Sequence, residues 1–220
     1  MTRGATTRLA AVTIPGPVGR LEGLIQEREG AHPAFVALVC HPHPRYGGTM
    51  NNKVVHRTAS TLHDLGAAVL RFNFRGVGRS EGSYDRGEGE LEDARAALAF
   101  LRARHPGARR WVAGFSFGAW VAARLAASEP GVERMILVAP PVGTESFEAL
   151  RGSPVPKHVI QGTADSVCTM ALLEREFPAW SEPRELIRVP GATHFFDRQL
   201  GALAEALSQA LSGLVPGGTS

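Results

Sequence analysis

Short runs of apolar residues alternate with longer stretches of helical period along this chain, and the alternation predicts its architecture. Arg8–Ile14 and Val18–Gln26 flank Pro15-Gly16-Pro17 and read as two antiparallel strands joined by a turn. Ala34–Cys40 is apolar throughout, as a strand buried on both faces would be. Further strands are expected at Ala67–Phe74, Arg110–Gly114, Arg134–Val138, His158–Gln161 and Glu185–Val189. Between them lie helical patterns: Lys53–Leu65 with Asn51 or Asn52 as cap and Gly66 as stop, Glu88–Arg104, Phe117–Ala127, a segment near Met170–Phe177, and Arg198–Leu211. Glu88–Arg104 carries acids in its first turns and Arg102 and Arg104 in its last, matching the helix dipole. Such alternation implies an α/β fold, a mostly parallel twisted sheet with helices on both faces. The ends, Met1–Thr6 and Pro216–Ser220, are expected to fray.

Length narrows this to one domain over residues 1–220, with a core over about residues 7–211. Of the 24 basic residues all but Lys53 and Lys157 are arginine, and the net charge is +3. The arginines are scattered and form neither a like-charge run nor a basic helix face, which argues against a nucleic-acid partner. Two cysteines, Cys40 and Cys168, make no disulfide framework and read as structural thiols. No signal pattern or membrane-length apolar run occurs, so a cytoplasmic location without a membrane span is expected.

The chemistry concentrates at Gly114-Phe115-Ser116-Phe117-Gly118, between a strand pattern and a small-residue helix pattern. This is the arrangement of a nucleophile elbow, in which a sharp turn exposes a serine hydroxyl above the sheet. Side chains at 114 and 118 would collide as strand and helix approach. A serine needs a base, and that base needs an orienting acid. Downstream of Ser116 only His158 and His194 occur; His158 falls inside a strand pattern, whereas His194 follows a strand, in a loop where such sheets place their chemistry. Asp165, again on a loop after a strand, is the expected acid, with Glu145 as its rival; Asp197 comes after the histidine, in the wrong order.

The oxyanion needs two N–H donors. One is expected from Phe117, the other from His41-Pro42-His43-Pro44-Arg45-Tyr46, where His43 is favoured and Arg45 and Tyr46 stay open. His41 and His43 are too few for a structural zinc, so no metal is expected. Gly76-Val-Gly78-Arg-Ser-Glu-Gly82 imitates a dinucleotide loop, but its third glycine is one place late and no helix follows; no cofactor is expected. The aromatic residues Tyr46, Tyr84, Phe117, Phe195 and Phe196 either line an acyl pocket or belong to the core, with Tyr46 and Phe195 the chosen substrate contacts.

Together these residues resemble the α/β-hydrolase superfamily from about Thr7 to Leu211. The likeness is greatest to small esterase-like and dienelactone-hydrolase-like members carrying a His-Pro-His-Pro loop (His41–Pro44), a Phe-Arg-Gly-Val-Gly-x-Ser-x-Gly segment (Phe74–Gly82) and a Gly-Phe-Ser-x-Gly elbow. The resemblance implies about eight strands with an antiparallel first hairpin, and Ser116, Asp165 and His194 as a triad. Related lactone hydrolases use cysteine at the elbow, so Ser116 argues against that variant. Many members insert a helical cap where this chain has only about 17 residues, Ala139–Val155, rich in proline. That segment is too short to cover the site, which is expected to lie open to solvent unless a partner subunit covers it. The resulting expectation is a capless serine hydrolase acting on carboxylic esters of short to medium acyl chain. A thioesterase or peptidase on the same residues is the alternative within the class, and a catalytically silent scaffold the alternative outside it. A homodimer is compatible with any of these.

Overall fold

The computed structural model of the chain describes residues 6–215. Eight strands form one sheet in the order β1-β2-β4-β3-β5-β6-β7-β8. The hairpin β1 (Thr7–Gly16) and β2 (Gly19–Arg28) opens the chain, and its register closes on Gly16 opposite Gly19. The turn thus sits at Pro17-Val18, beyond the Pro15-Gly16-Pro17 position that proline content predicts. Pro15 needs no N–H where β1 forms the sheet edge, so the strand runs through it. β2 pairs antiparallel with β4 (Ala68–Phe72). The pairings from β4 through β3 (Phe35–Cys40), β5 (Arg109–Phe115), β6 (Val132–Val138), β7 (Lys157–Gly162) and β8 (Arg184–Val189) are all parallel.

β3, β4 and β7 are buried at every position, which explains the uninterrupted apolar character of β3; β4 buries Arg71 and β7 buries Lys157, His158 and Gln161 among their apolar residues. One face carries α1 (Lys53–Asp64) and α5 (Leu200–Leu211), whose Val54, Val55, Leu203 and Leu207 pack on Phe35, Trp111 and Ile136. The other carries α2 (Glu88–Arg104), α3 (Phe117–Ser128) and the short α4 (Met170–Glu176), whose Leu98, Leu125 and Leu173 share a core with Leu38, Val112 and Leu137. Asn52 caps α1, its side chain accepting from the N–H groups of Val54 and Val55. Glu90 performs the reciprocal service for α2, accepting from the N–H of Gly87 at 2.7 Å. α5 starts at Leu200 instead of Arg198, because Phe196 and Arg198 both adopt positive φ. The fraying expected of Met1–Thr6 and Pro216–Ser220 falls, Thr6 apart, outside the described residues.

The glycine-rich segment that imitates a dinucleotide loop is a tied-down connection between β4 and α2. Arg75 grips Asp93 of α2 through Nε and Nη2, at 3.0 and 2.8 Å, with both side chains buried. Arg71 and Asn73 bond the two sides of the Met50 peptide, fastening the loop after β3 to the same anchor. The connection after β6, residues 139–155, holds only a short 3-10 turn at Glu148–Leu150, so no cap stands over the C-terminal edge of the sheet. Among the described residues no helix is long and apolar enough to cross a membrane.

A buried ion pair broken on one side leaves an uncompensated charge. Asp93→Ala should therefore lower stability by about 3–5 kcal/mol, read from urea unfolding of the variant against the parent.

Candidate active site

The four loops that carry the candidate residues leave the C-terminal ends of β3, β5, β7 and β8, where open parallel sheets gather their chemistry. The elbow after β5 shows its strain directly. Ser116 has φ 54° and ψ −122°, a region that side chains rarely occupy, and its N–H is held by the carbonyl of Val138 at 2.9 Å. The flanking glycines are dictated by crowding. A Cβ on Gly114 would stand 2.0 Å from the carbonyl oxygen of Gly118, and one on Gly118 would stand 2.3 Å from that of Cys40.

His194, on the loop after β8, places Nε2 3.1 Å from Ser116 Oγ and Nδ1 2.8 Å from Asp165 Oδ2. An ionised carboxylate only accepts, so Nδ1 carries the proton and Nε2 is left to accept from the serine hydroxyl. The imidazole is buried and packs against the rings of Phe115 and Phe195, both with centroids 5.1 Å away. Asp165 Oδ1 accepts from the N–H groups of Val167 and Cys168, each at 2.8 Å. Burial pushes the Asp165 carboxyl up, but the bonds from His194, Cys168 and Val167 outweigh it and hold the group below its ordinary value. It stays charged through the neutral range.

The rivals are engaged elsewhere. His158 donates from Nδ1 to Glu185 at 2.9 Å and accepts from Arg134. Glu145 is half-buried beside Phe147 and Trp180, in a cleft of about 290 Å³, and burial raises its pKa. Asp197 is exposed and pairs with Lys53.

The loop after β3 is built to present one N–H. His43 precedes a 3-10 turn, Pro44–Tyr46, and its Nδ1 accepts from Arg45 N–H at 3.1 Å while its carbonyl accepts from the N–H of Tyr46 and of Gly48. The backbone donors of Arg45 and Tyr46 are therefore spent, whereas those of His43 and Phe117 find no acceptor among the described residues. Because Nδ1 accepts, His43 carries its proton on Nε2 and donates to the Tyr84 hydroxyl at 3.0 Å. The His43 ring also lies 4.9 Å from that of Phe117, bringing the loop against the elbow.

His41 is fully buried and acts as a strut, not a ligand. Its Nδ1 donates to the Pro42 carbonyl at 2.7 Å, and its Nε2 accepts from Phe74 N–H at 3.0 Å. Tyr46 stands 87% exposed and Phe195 45%, so both form the rim of the site and not its floor. Phe117 and Phe196 are core residues.

Sequence reasoning does not find the struts formed by His41 and Tyr84. In the sequence His41 is visible only as a member of the His-Pro-His-Pro loop and half of an excluded metal pair, and Tyr84 only as one aromatic among several. The ligand-capable atoms of Asp165, Cys168 and His194 lie within 4.8 Å of one another, but Asp165 Oδ2 and His194 Nδ1 are already engaged with each other. Burial and the neighbouring Asp165 charge push the Cys168 thiol up to about 12, and burial raises that of Cys40 too.

Residues 36–158, over half of the chain, match the family described as serine aminopeptidase, S33. An α/β serine hydrolase homologue from Coxiella burnetii, of known structure, is 42% identical, with a TM-score of 0.88 over 92% of this chain and 97% of that one. An α/β serine hydrolase without lid from Xanthomonas campestris is 39% identical, with a TM-score of 0.89 over 98% and 99%. An uncharacterised protein of Rickettsia prowazekii is 38% identical over 205 residues, covering 89% of this chain and 86% of that one.

His41 generates a prediction about acid stability. Burial pushes its pKa down from 6.5 to about 4, so between those values the unfolded chain holds a proton that the folded chain does not. Its contribution is complete above pH 6.5 and is lost as pH falls from there towards 4. Urea unfolding at pH 7 and pH 4.5 should show the parent losing about 2–3 kcal/mol more than His41→Asn over that interval. Equal losses would mean that His41 is already solvated.

Proposed function

The chain belongs to the α/β serine hydrolases of the serine aminopeptidase S33 family, and on that footing we propose that it cleaves carboxylic esters of short to medium acyl chain through an acyl-enzyme on Ser116. The observation that carries this reading is the unbroken hydrogen-bond path from Ser116 Oγ through His194 to Asp165, at 3.1 and 2.8 Å.

Ser116 Oγ attacks the ester carbonyl carbon as His194 Nε2 takes the hydroxyl proton. The imidazolium so formed is held by the Asp165 carboxylate, and the oxyanion is received by the N–H groups of Phe117 and His43. Collapse expels the alcohol, which takes the proton from His194. Water, deprotonated by the same nitrogen, then attacks the acyl carbon and releases the acid and free Ser116. The uncapped edge favours substrates whose binding needs no enclosing pocket, with Tyr46 and Phe195 as rim contacts for the acyl or alcohol part.

The description of the matching family names aminopeptidases, which keeps amide cleavage as a second reading. Matched oxygen ester, thioester and aminoacyl anilide substrates separate the two. The proposal expects the oxygen ester to give the largest kcat/KM.

Ser116→Ala should lower kcat on p-nitrophenyl butyrate by roughly 10⁴-fold or more while leaving the fold intact by circular dichroism. A fluorophosphonate probe should label the parent stoichiometrically at Ser116 and the variant not at all. Near-parental turnover by the variant would overturn the assignment.

A further inference from the structure

Gln161, the penultimate residue of β7, is fully buried, and its amide is oriented without ambiguity. Nε2 lies 3.0 Å from Asp165 Oδ2 and 2.6 Å from the carbonyl oxygen of Cys168. Both partners only accept, so the NH₂ end must face them; the flipped amide would set an oxygen against two oxygens. The consequence is that Oε1 is buried with no partner among the described residues. An orphaned carbonyl is destabilising, and an apolar side chain of similar shape would avoid it. The fold therefore tolerates a local loss in order to direct two N–H bonds at the loop that holds the acid.

Those bonds close a ring around Asp165. Cys168 N–H donates to Oδ1, Gln161 donates to Oδ2, and Gln161 also holds the Cys168 carbonyl. Oδ2 is the same oxygen that accepts from His194. The carboxylate is thus fixed in rotation about its Cβ–Cγ bond, with Oδ2 turned towards the imidazole, and Oδ2 shares its electron density between two donors. The titratable side chains facing Asp165 are His194 from the loop after β8 and Cys168 from its own loop, with Ser116 beyond the imidazole.

We propose that Gln161 is a positioning residue of this site: by donating to Asp165 Oδ2 it sets the rotamer of the acid and limits how strongly that acid draws a proton onto His194. The inference rests on the Ser116–His194–Asp165 reading above. Gln161 touches no substrate and works only through Asp165.

Gln161→Met keeps the shape and removes both donors. Active-site concentration is first fixed by fluorophosphonate titration, so that misfolded protein does not enter the rate. Per titrated site, kcat/KM for p-nitrophenyl butyrate should fall on the order of 10- to 100-fold through kcat, with KM little changed. The acid limb of the pH profile should move up by about half a pH unit or more, because a carboxylate relieved of one donor stabilises the imidazolium better. Loss of packing alone would lower the titrated fraction or the melting temperature and leave that limb in place.

Gln161→Glu is the second variant, for the case where Gln161→Met does not fold. Its introduced carboxyl can donate to Asp165 only while protonated, so the ratio of variant to parent kcat/KM should fall as pH rises. An unmoved acid limb with parental kcat/KM in Gln161→Met, or a pH-independent ratio in Gln161→Glu, overturns the role of Gln161 and leaves the reading of the site standing. A parent that neither turns over the ester nor takes the probe overturns that reading, and this inference with it.

Discussion

Everything at this site depends on how closely two pieces of backbone approach. The first turn of α3 lies against the end of β3, near enough that a methyl group on Gly118 would come within 2.3 Å of the Cys40 carbonyl. That crowding brings the N–H of Phe117 and the loop bearing His43 to the same place. It also requires the strained turn that lifts Ser116 out of the sheet. The cost is carried by the surrounding core, since Val112, Leu125 and Leu137 are fully buried around it. A larger residue at position 118 would separate the elbow from the donor loop before it disturbed the serine itself.

The histidines around this contact differ in role because their neighbours differ. His194 meets a carboxylate on one side and a hydroxyl on the other, which leaves its unprotonated nitrogen facing Ser116 Oγ. His43 has Nδ1 occupied by a backbone donor and so directs its proton to Tyr84. His41 is bonded at both nitrogens within the fold and kept neutral by burial. One side-chain type thus supplies a link between a hydroxyl and a carboxylate, a loop cap and a strut, each set by which nitrogen is left free.

Most of the architecture is legible in the sequence because its signals are local. β3 is buried on both faces and reads as an apolar run, and α2 announces its ends by charge. Boundaries slip where tertiary context overrides local chemistry: β1 runs through Pro15 because it lies at an edge, and α5 starts late because residues 196 and 198 turn left-handed. Ser116, Asp165 and His194 can be chosen by their order and by their positions after strands. Gln161 cannot, because its meaning lies in the angle at which a strand residue meets a loop four positions on, and no periodicity encodes that angle. Nor does the sequence separate His43 from Arg45 and Tyr46 as a free donor. That distinction rests on the turn after His43, where the Nδ1 and the carbonyl of His43 take up the N–H groups of Arg45 and Tyr46.

The short connection after β6 has a kinetic meaning as well as a steric one. Where a helical lid covers a pocket, each turnover includes an opening and a closing step, and those motions often govern the observed rate. Here residues 139–155 fold into little more than one short turn, so nothing has to swing aside for reactant to enter or product to leave. The width of the approach to Ser116 is set by the few side chains that edge the opening, Tyr46 and Phe195 among them.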